Sequence, residues 1–448
     1  MVLNWPTIED IRHLLRFTSS KENLMKENIR VSRLNSGLTI LSDSMRGVRS
    51  ATLGFFSRVG ARNEPADLNG ITHFIEHAVF KGTARRSALD IAIEQDRLGG
   101  TLDAFTTHEE TGFVIKVIDD QIERGFDLIA DMLTCPSFEE QDLENEQNVI
   151  IEEMKMVEDA PEDHLGEIFS EAFFPGHPLG RNIVGTPETV RSFAHERTSR
   201  FHRTAFDPSN LVIAAAGNVT HEQIEDLTAK YVSITAGSQG LSQGGGRSLV
   251  MGAPIVIRQN ENLEQAHLII AAPLVAATDQ RRYPADLLAT VVGGGTSSRL
   301  WQTVREDRGL AYNVGASTVM YRDCGYFLMF AATSPDQVEE LVDVAMEGLR
   351  DVVRNGISGD ELELAKDQAR AAILLSLEDS AARAGSLANS ELTHGRVIPV
   401  EETLENIEAV TLEEVNSLVA EHFQTEKMAF AALGDLDGLV IDRDRLAL

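Results

Sequence analysis

The sequence predicts an α+β fold built from two homologous domains, each a mainly antiparallel sheet with helices packed on one side. The first observation behind this is internal repetition. Residues 210–219 (NLVIAAAGNV) resemble residues 427–436 (KMAFAALGDL), setting Gly217 against Gly434 at an offset of 217. Phe138 and Leu143 align with Ile357 and Leu362 at an offset of 219, and Gly82-Thr83 aligns with Gly295-Thr296 at 213. Offsets that agree this closely mark a duplicated domain. The second observation is length: 448 residues exceed what one hydrophobic core supports. The third is that strand-like and helix-like runs mix without the strict alternation of a parallel sheet.

The elements follow in order. Residues 1–29 form an N-terminal extension, and the first domain covers 30–234. In it, GLTILSD (37–43) and SATLGFFSRVG (50–60) read as hairpin-type strands, and FVIKVI (113–118) as another. Residues 121–133 and 139–158 carry helical periodicity, the second through Leu143, Val149, Ile150 and Met154. Residues 235–248 (TAGSQGLSQGGGRS) have no hydrophobic period and the composition of a linker. The second domain covers 249–448.

Charge removes one class of function. With 70 acidic against 40 basic residues the formal net charge is −30, the wrong sign for phosphate neutralisation, so no nucleic-acid partner is expected. Between Asp119 and Glu171 there are 18 Asp or Glu against Arg124 and Lys155. That stretch reads either as an attractor of basic peptides or as a solvated helical face. Two cysteines, Cys135 and Cys324, form no disulfide framework and no Cys-x-x-Cys pair, which suits a reducing compartment. No apolar run approaches the ~20 residues of a membrane span. The first residues carry Glu9, Asp10, Glu22 and Glu27 rather than a signal-peptide core, and the expected location is cytoplasmic.

The segment GITHFIEHAVFKGT (70–83) contains His73-x-x-Glu76-His77. On a helix, positions i and i+4 share a face, so both imidazoles reach one ion, and Glu76 at i+3 faces the same place. A carboxylate there is suited to take a proton from water at the ion. Catalytic zinc takes three protein ligands, so a third donor is required. ENEQNVIIEEM (144–154) offers Glu146 and Glu153, seven residues apart on one helical face, with Glu152 directed elsewhere. Two surface histidines on an ordinary helix are the bland alternative, but Ile71, Phe74, Ile75, Ala78, Val79 and Phe80 mark this helix as buried, and buried ionisable groups need partners or a metal. The repeat sharpens the reading. His73, Glu76 and His77 fall opposite Asp286, Ala289 and Thr290, and Glu146 and Glu153 opposite Ala365 and Ala372. One half is armed and the other bare, as in a one-site enzyme.

These residues, together with NVIIEEM, FPGHPLGRNIVGTPETV and GGGTSSRLWQTVREDRGLAYNVGAS, resemble the pitrilysin/insulinase family of zinc peptidases, in the branch of mitochondrial processing peptidase and its bacterial relatives. The resemblance spans residues 30 to 440, and His-x-x-Glu-His is the family's inverted motif. It implies one zinc ion per chain, held by His73, His77 and Glu153, with Glu146 as the acidic residue that supports the site and Glu76 as general base in peptide-bond hydrolysis. It implies that the strand in TLDAFTTHEE binds substrate through Asp103, Ala104 and Phe105 by taking up the peptide as an extra strand. Asp103 stands where the family usually carries Asn, a change that bears on side-chain selectivity rather than backbone pairing. Arg308 and Tyr312 of RGLAY match the Arg and Tyr that close over the substrate, Tyr312 as donor to the developing oxyanion. The resemblance further implies a closed chamber assembled as a homodimer or as a heterodimer with a related chain, acting on peptides or unfolded segments. The competing reading is a non-catalytic scaffold or peptide-binding subunit, whose usual mark, loss of the metal residues, is missing.

Overall fold

A computed structural model of the chain describes residues 28–232 and 249–448. The expected linker at 235–248, and all but the last two residues of the N-terminal extension, lie outside the described residues. Strands β1 (Ile29–Arg33), β2 (Thr39–Ser44), β3 (Ser50–Ser57), β4 (Thr101–Thr106), β5 (Thr111–Ile118) and β6 (Leu211–Gly217) form one sheet in the order β1-β2-β6-β3-β5-β4. Strands β7 (Ile255–Gln259), β8 (Ala266–Leu274), β9 (Ala311–Met320), β10 (Gly325–Thr333) and β11 (Ala429–Gly434) form a second in the order β7-β11-β8-β10-β9. Without β1 the two orders coincide strand for strand. Each sheet has a single parallel pair, β2 with β6 and β7 with β11, and is otherwise antiparallel. The duplication seen in sequence is thus a duplication of topology.

In the first half the helices are α1 (Ile71–Ala78), α2 (Ala88–Leu98), α3 (Ile122–Thr134), α4 (Glu140–Glu158), α5 (Pro161–Phe173), α6 (Pro187–Val190), α7 (His195–Ala205) and α8 (His221–Tyr231). In the second half they are α9 (Arg282–Gly293), α10 (Val338–Asn355), α11 (Gly359–Ser376), α12 (Ser380–His394), α13 (Val400–Ala409) and α14 (Leu412–His422). Helix α3 shows why such segments fold where they do: Ile122, Phe126, Ile129 and Leu133, one apolar stripe, are all buried against the first sheet. In α4 the stripe expected through Val149 is corrected. Leu143 and Ile150 are buried but Val149 is 49% exposed, because adjacent residues lie about 100° apart on a helix and Ile150 already faces the core.

Helices cover one face of each sheet, and the opposite face is covered by a helix from the other half. Leu165, Phe169 and Phe173 of α5 pack on Ala271, Tyr326, Ala429 and Leu433 of the second sheet. Leu387, Ala388 and Leu392 of α12 pack on Leu41, Phe56, Val212 and Ala214 of the first. The exchange is reciprocal, since α5 and α12 begin at Pro161 and Ser380, the same offset of 219 that relates the starts of α4 and α11. Charged groups pin it: buried Glu391 takes Arg33 at 2.7 Å and Arg58 at 2.9 Å, and buried Asp43 takes Arg383 at 2.5 Å. Among the described residues no helix is long and apolar enough to cross a membrane.

Candidate metal centre

Helix α1 divides into two stripes. Ile71, Phe74, Ile75 and Ala78, at i, i+3, i+4 and i+7, are wholly buried in the first-half core. His73, Glu76 and His77 occupy the other side, where His73 and Glu76 are still buried and His77 is half-buried. The helix starts at Gly70, whose φ of 94° lies in the left-handed region. A Cβ there would also sit 2.5 Å from the Val184 carbonyl oxygen, so the IVGT loop can lie directly against the helix start only because residue 70 is glycine.

Helix α4 packs on α1 and brings the third donor. Its inner stripe reads Leu143, Glu146, Ile150, Glu153, spaced by three and four residues. Glu153 Oε1 lies 3.6 Å from His73 Nε2, and Glu153 Oε2 lies 3.7 Å from His77 Nε2. Ligand atoms of the three residues fall within 4.8 Å of one another, and no other such group of three or more His, Cys, Asp or Glu exists among the described residues. Glu152 points away, pairing with Lys155 on the surface.

These donors fit zinc. Two imidazole nitrogens and a carboxylate oxygen form an established ligand set, and bonds of about 2.0–2.1 Å in tetrahedral array put ligand atoms about 3.3–3.4 Å apart, close to the separations found. Glu153 Oε2, which faces His77 Nε2, is buried without a hydrogen-bond partner, so the cluster is unsatisfied as it stands. His77 is oriented for ligation: Nδ1–H donates to Glu146 Oε1 at 2.8 Å, which leaves the Nε2 lone pair toward Glu153.

Electrostatics sort the groups. Burial, with the neighbouring His77 charge, pushes His73 down to about 4, so it is a neutral imidazole near neutral pH. Burial also pulls His77 down, but its hydrogen bond to Glu146 and the charges of Glu153, Glu146 and Glu76 outweigh that and raise it. Burial raises Glu76 despite the opposing hydrogen bond from Thr106 and the His77 charge. Glu146 is held below the usual carboxylate range, burial being overcome by His77 and Lys81.

Residues 39–187 match the family described as Insulinase (Peptidase family M16), and residues 192–369 match Peptidase M16 inactive domain. Over 413 residues the chain is 38% identical to an uncharacterized zinc protease of Streptomyces coelicolor, covering 91% of this chain and 90% of that one. The chain belongs to the insulinase family, peptidase family M16. An uncharacterized zinc protease of Bacillus subtilis is 35% identical, covering 89% of this chain and 96% of its own length. The same M16 fold appears in a protease from Helicobacter pylori, with a TM-score of 0.84 at 20% identity over 91% of this chain and 100% of that one. A peptidase M16 inactive domain from Pseudomonas fluorescens gives 0.84 at 19%, over 91% and 98%.

The second half of this M16 chain keeps the helix pair without the candidate ligands. Helices α9 and α11 pack together as α1 and α4 do, but Asp286, Ala289, Thr290 and Ala365 stand in the ligand stripes.

The remaining predicted residues divide. Asp103, Ala104 and Phe105 lie on β4, the edge of the first sheet beside α1, with the outer edge of β4 paired to no strand among the described residues. Arg308 and Tyr312 are not brought to the cluster. Arg308 pairs with Glu340 at 3.1 Å, and Tyr312, at the start of β9, is 78% exposed with the Arg305 guanidinium over its ring.

Three residues that sequence reasoning missed also build the site. Lys81 Nζ lies 2.6 Å from Glu146 Oε2, so Glu146 bridges a cation and His77. Thr106 Oγ1 donates to Glu76 Oε2 at 2.6 Å. Buried Glu64 accepts the Gly70 and Thr72 amides at 2.7 and 2.8 Å and so caps α1. Lys81, in the same short motif as the histidines, was the findable one. Glu64 and Thr106 act across loops, where spacing carries no signal.

Proposed function

We propose that the chain is a zinc-dependent endopeptidase with one metal site, formed by His73, His77 and Glu153, and with Glu76 as its general base. The observation that carries this reading is the convergence of His73, His77 and Glu153 beside a carboxylate of the same helix face. Relatives that bear the name zinc protease match nearly the whole chain and support it. Zinc bound there would supply Lewis acidity toward a carbonyl and lower the pKa of its water.

The chain's own residues do the rest. Glu76 takes the proton of the attacking water and returns it to the leaving amine, and burial, by raising its proton affinity, suits it to both steps. Glu146, anchored by Lys81, fixes the ring plane of His77. The open edge of β4 around Asp103, Ala104 and Phe105 is placed to pair with an extended peptide, presenting its scissile bond to the face of α1. Arg308 and Tyr312 would serve the substrate only after moving toward it, Arg308 by leaving Glu340. A chain of two homologous halves fits half of a chamber, completed by a second copy or a related chain. Its substrates would be peptides or unfolded segments, with basic ones favoured by the net charge of −30.

Glu76→Gln tests the assignment. Zinc content should stay at one ion per chain while peptide hydrolysis falls by at least about 100-fold. Full activity in zinc-loaded Glu76→Gln protein would remove Glu76 as the base.

A further inference from the structure

We propose that Thr106 is the positioning residue for the base: its hydroxyl holds Oε2 of Glu76 and leaves Oε1 to receive the proton. The proposal rests on the reading of Glu76 as general base. Glu76 is buried, and the Thr106 hydroxyl at 2.6 Å is its one hydrogen-bond partner among the described residues. A buried carboxylate with a single donor is oriented by that donor. Without the hydroxyl, nothing else in the structure fixes rotation of the carboxylate about its terminal bond, and general-base catalysis demands that the accepting oxygen lie within hydrogen-bond reach of the water.

The hydroxyl is itself held in place. Thr106 ends β4 opposite Thr111, and the turn beyond it is closed by Thr107 N to Glu110 O at 2.8 Å and by the Thr107 hydroxyl, which accepts from the Glu109 and Glu110 amides. Ala61 N and Arg62 N bind the carbonyls of Thr107 and His108, and the Thr111 hydroxyl donates to Val59 O. The hairpin therefore cannot drift relative to the segment leading into α1.

Strand alternation adds a functional link. Leu102, Ala104 and Thr106 share one face of β4, and Leu102 and Ala104 pack into the first-half core. Asp103 and Phe105 project to the other face, where Phe105 packs near Phe56. The strand proposed to take up the peptide thus carries, on its α1 side, the hydroxyl that aims the base. Peptide position and base orientation are set by one rigid element, a form of preorganisation.

The test uses full-length, zinc-loaded protein and an internally quenched peptide with one Arg, comparing wild type, Thr106→Val, Thr106→Ala, Thr106→Ser and Glu76→Gln. Thr106→Val and Thr106→Ala should lower kcat by about tenfold or more, with KM within about twofold and zinc stoichiometry unchanged. Thr106→Ser, which keeps the hydroxyl, should recover most of kcat. Wild-type kcat in a folded Val or Ala variant overturns the proposal, as does a change confined to KM or a Ser variant as slow as the Val variant. If Glu76→Gln is fully active, or if wild type with one zinc cleaves no peptide, the failure belongs to the underlying base assignment instead.

Discussion

Glu146 places a charge on the core-facing stripe of a helix, and it is tolerated there because two partners meet it, Lys81 at 2.6 Å and His77 at 2.8 Å. The arrangement splits the two histidines in proton affinity: His73 falls to about 4 and His77 rises above its ordinary value. Zinc binds neutral imidazole, so the two residues compete differently with protons. At about pH 6 His73 is already neutral and His77 carries a proton. Zinc binding there should release about one proton, measurable by titration calorimetry in buffers of differing ionisation enthalpy. As pH falls below the raised His77 value, apparent zinc affinity should decline about tenfold per pH unit. Release of two protons at that pH would contradict the assigned split. At this scale the local pattern His-x-x-Glu-His offered His73 and His77 directly, whereas the seven-residue spacing left Glu146 and Glu153 both open as third donor and only the family resemblance singled out Glu153. Thr106 and Glu64 escaped because their partners lie across loops, and no periodicity encodes such a contact.

At the scale of elements, α1 depends on its cap. Glu64 receives two amides at the helix start, and burial pushes it up to about 7, against the pull of the Thr72 and Gly70 amides. Glu64→Ala strands those amides and should cost about 1–3 kcal/mol of stability, read from urea unfolding. The sign of the pH dependence follows from the raised pKa. Between the ordinary 4.5 and about 7 the folded protein holds a proton on Glu64 that the unfolded chain has lost. Wild-type stability therefore falls as pH rises through that window, and the fall should be shallower in Glu64→Ala. Equal slopes in the two proteins between about pH 5 and about pH 7 would refute a shifted Glu64. Most element positions were legible: the helix expected at 139–158 is α4, and the strands expected at 37–43 and 50–60 contain most of β2 and all of β3, although these two are not hairpin partners, because β6 lies between them. Val149 does not belong to the buried stripe of α4 because it lies about 100° from Ile150, which faces the core.

For the whole molecule, the reciprocal exchange of α5 and α12 makes each half part of the other's core. Local periodicity cannot say which sheet α5 covers, since both sheets offer similar faces after a duplication. Phe169, 2% exposed between the halves, is the probe. Phe169→Ala should cost about 3–5 kcal/mol and lower a single unfolding transition. If the second half melted alone while the first stayed intact, the halves would be independent domains. The packing of α4 on α1 holds Glu153 against His73 and His77. The most direct measurement is an anomalous difference map, recorded at the zinc edge from crystals grown with zinc. It should show one peak per chain, about 2.0–2.2 Å from His73 Nε2, His77 Nε2 and a Glu153 oxygen. A strong peak elsewhere, or none at these three residues in a zinc-saturated crystal, would contradict the metal centre on which the proposed hydrolysis depends.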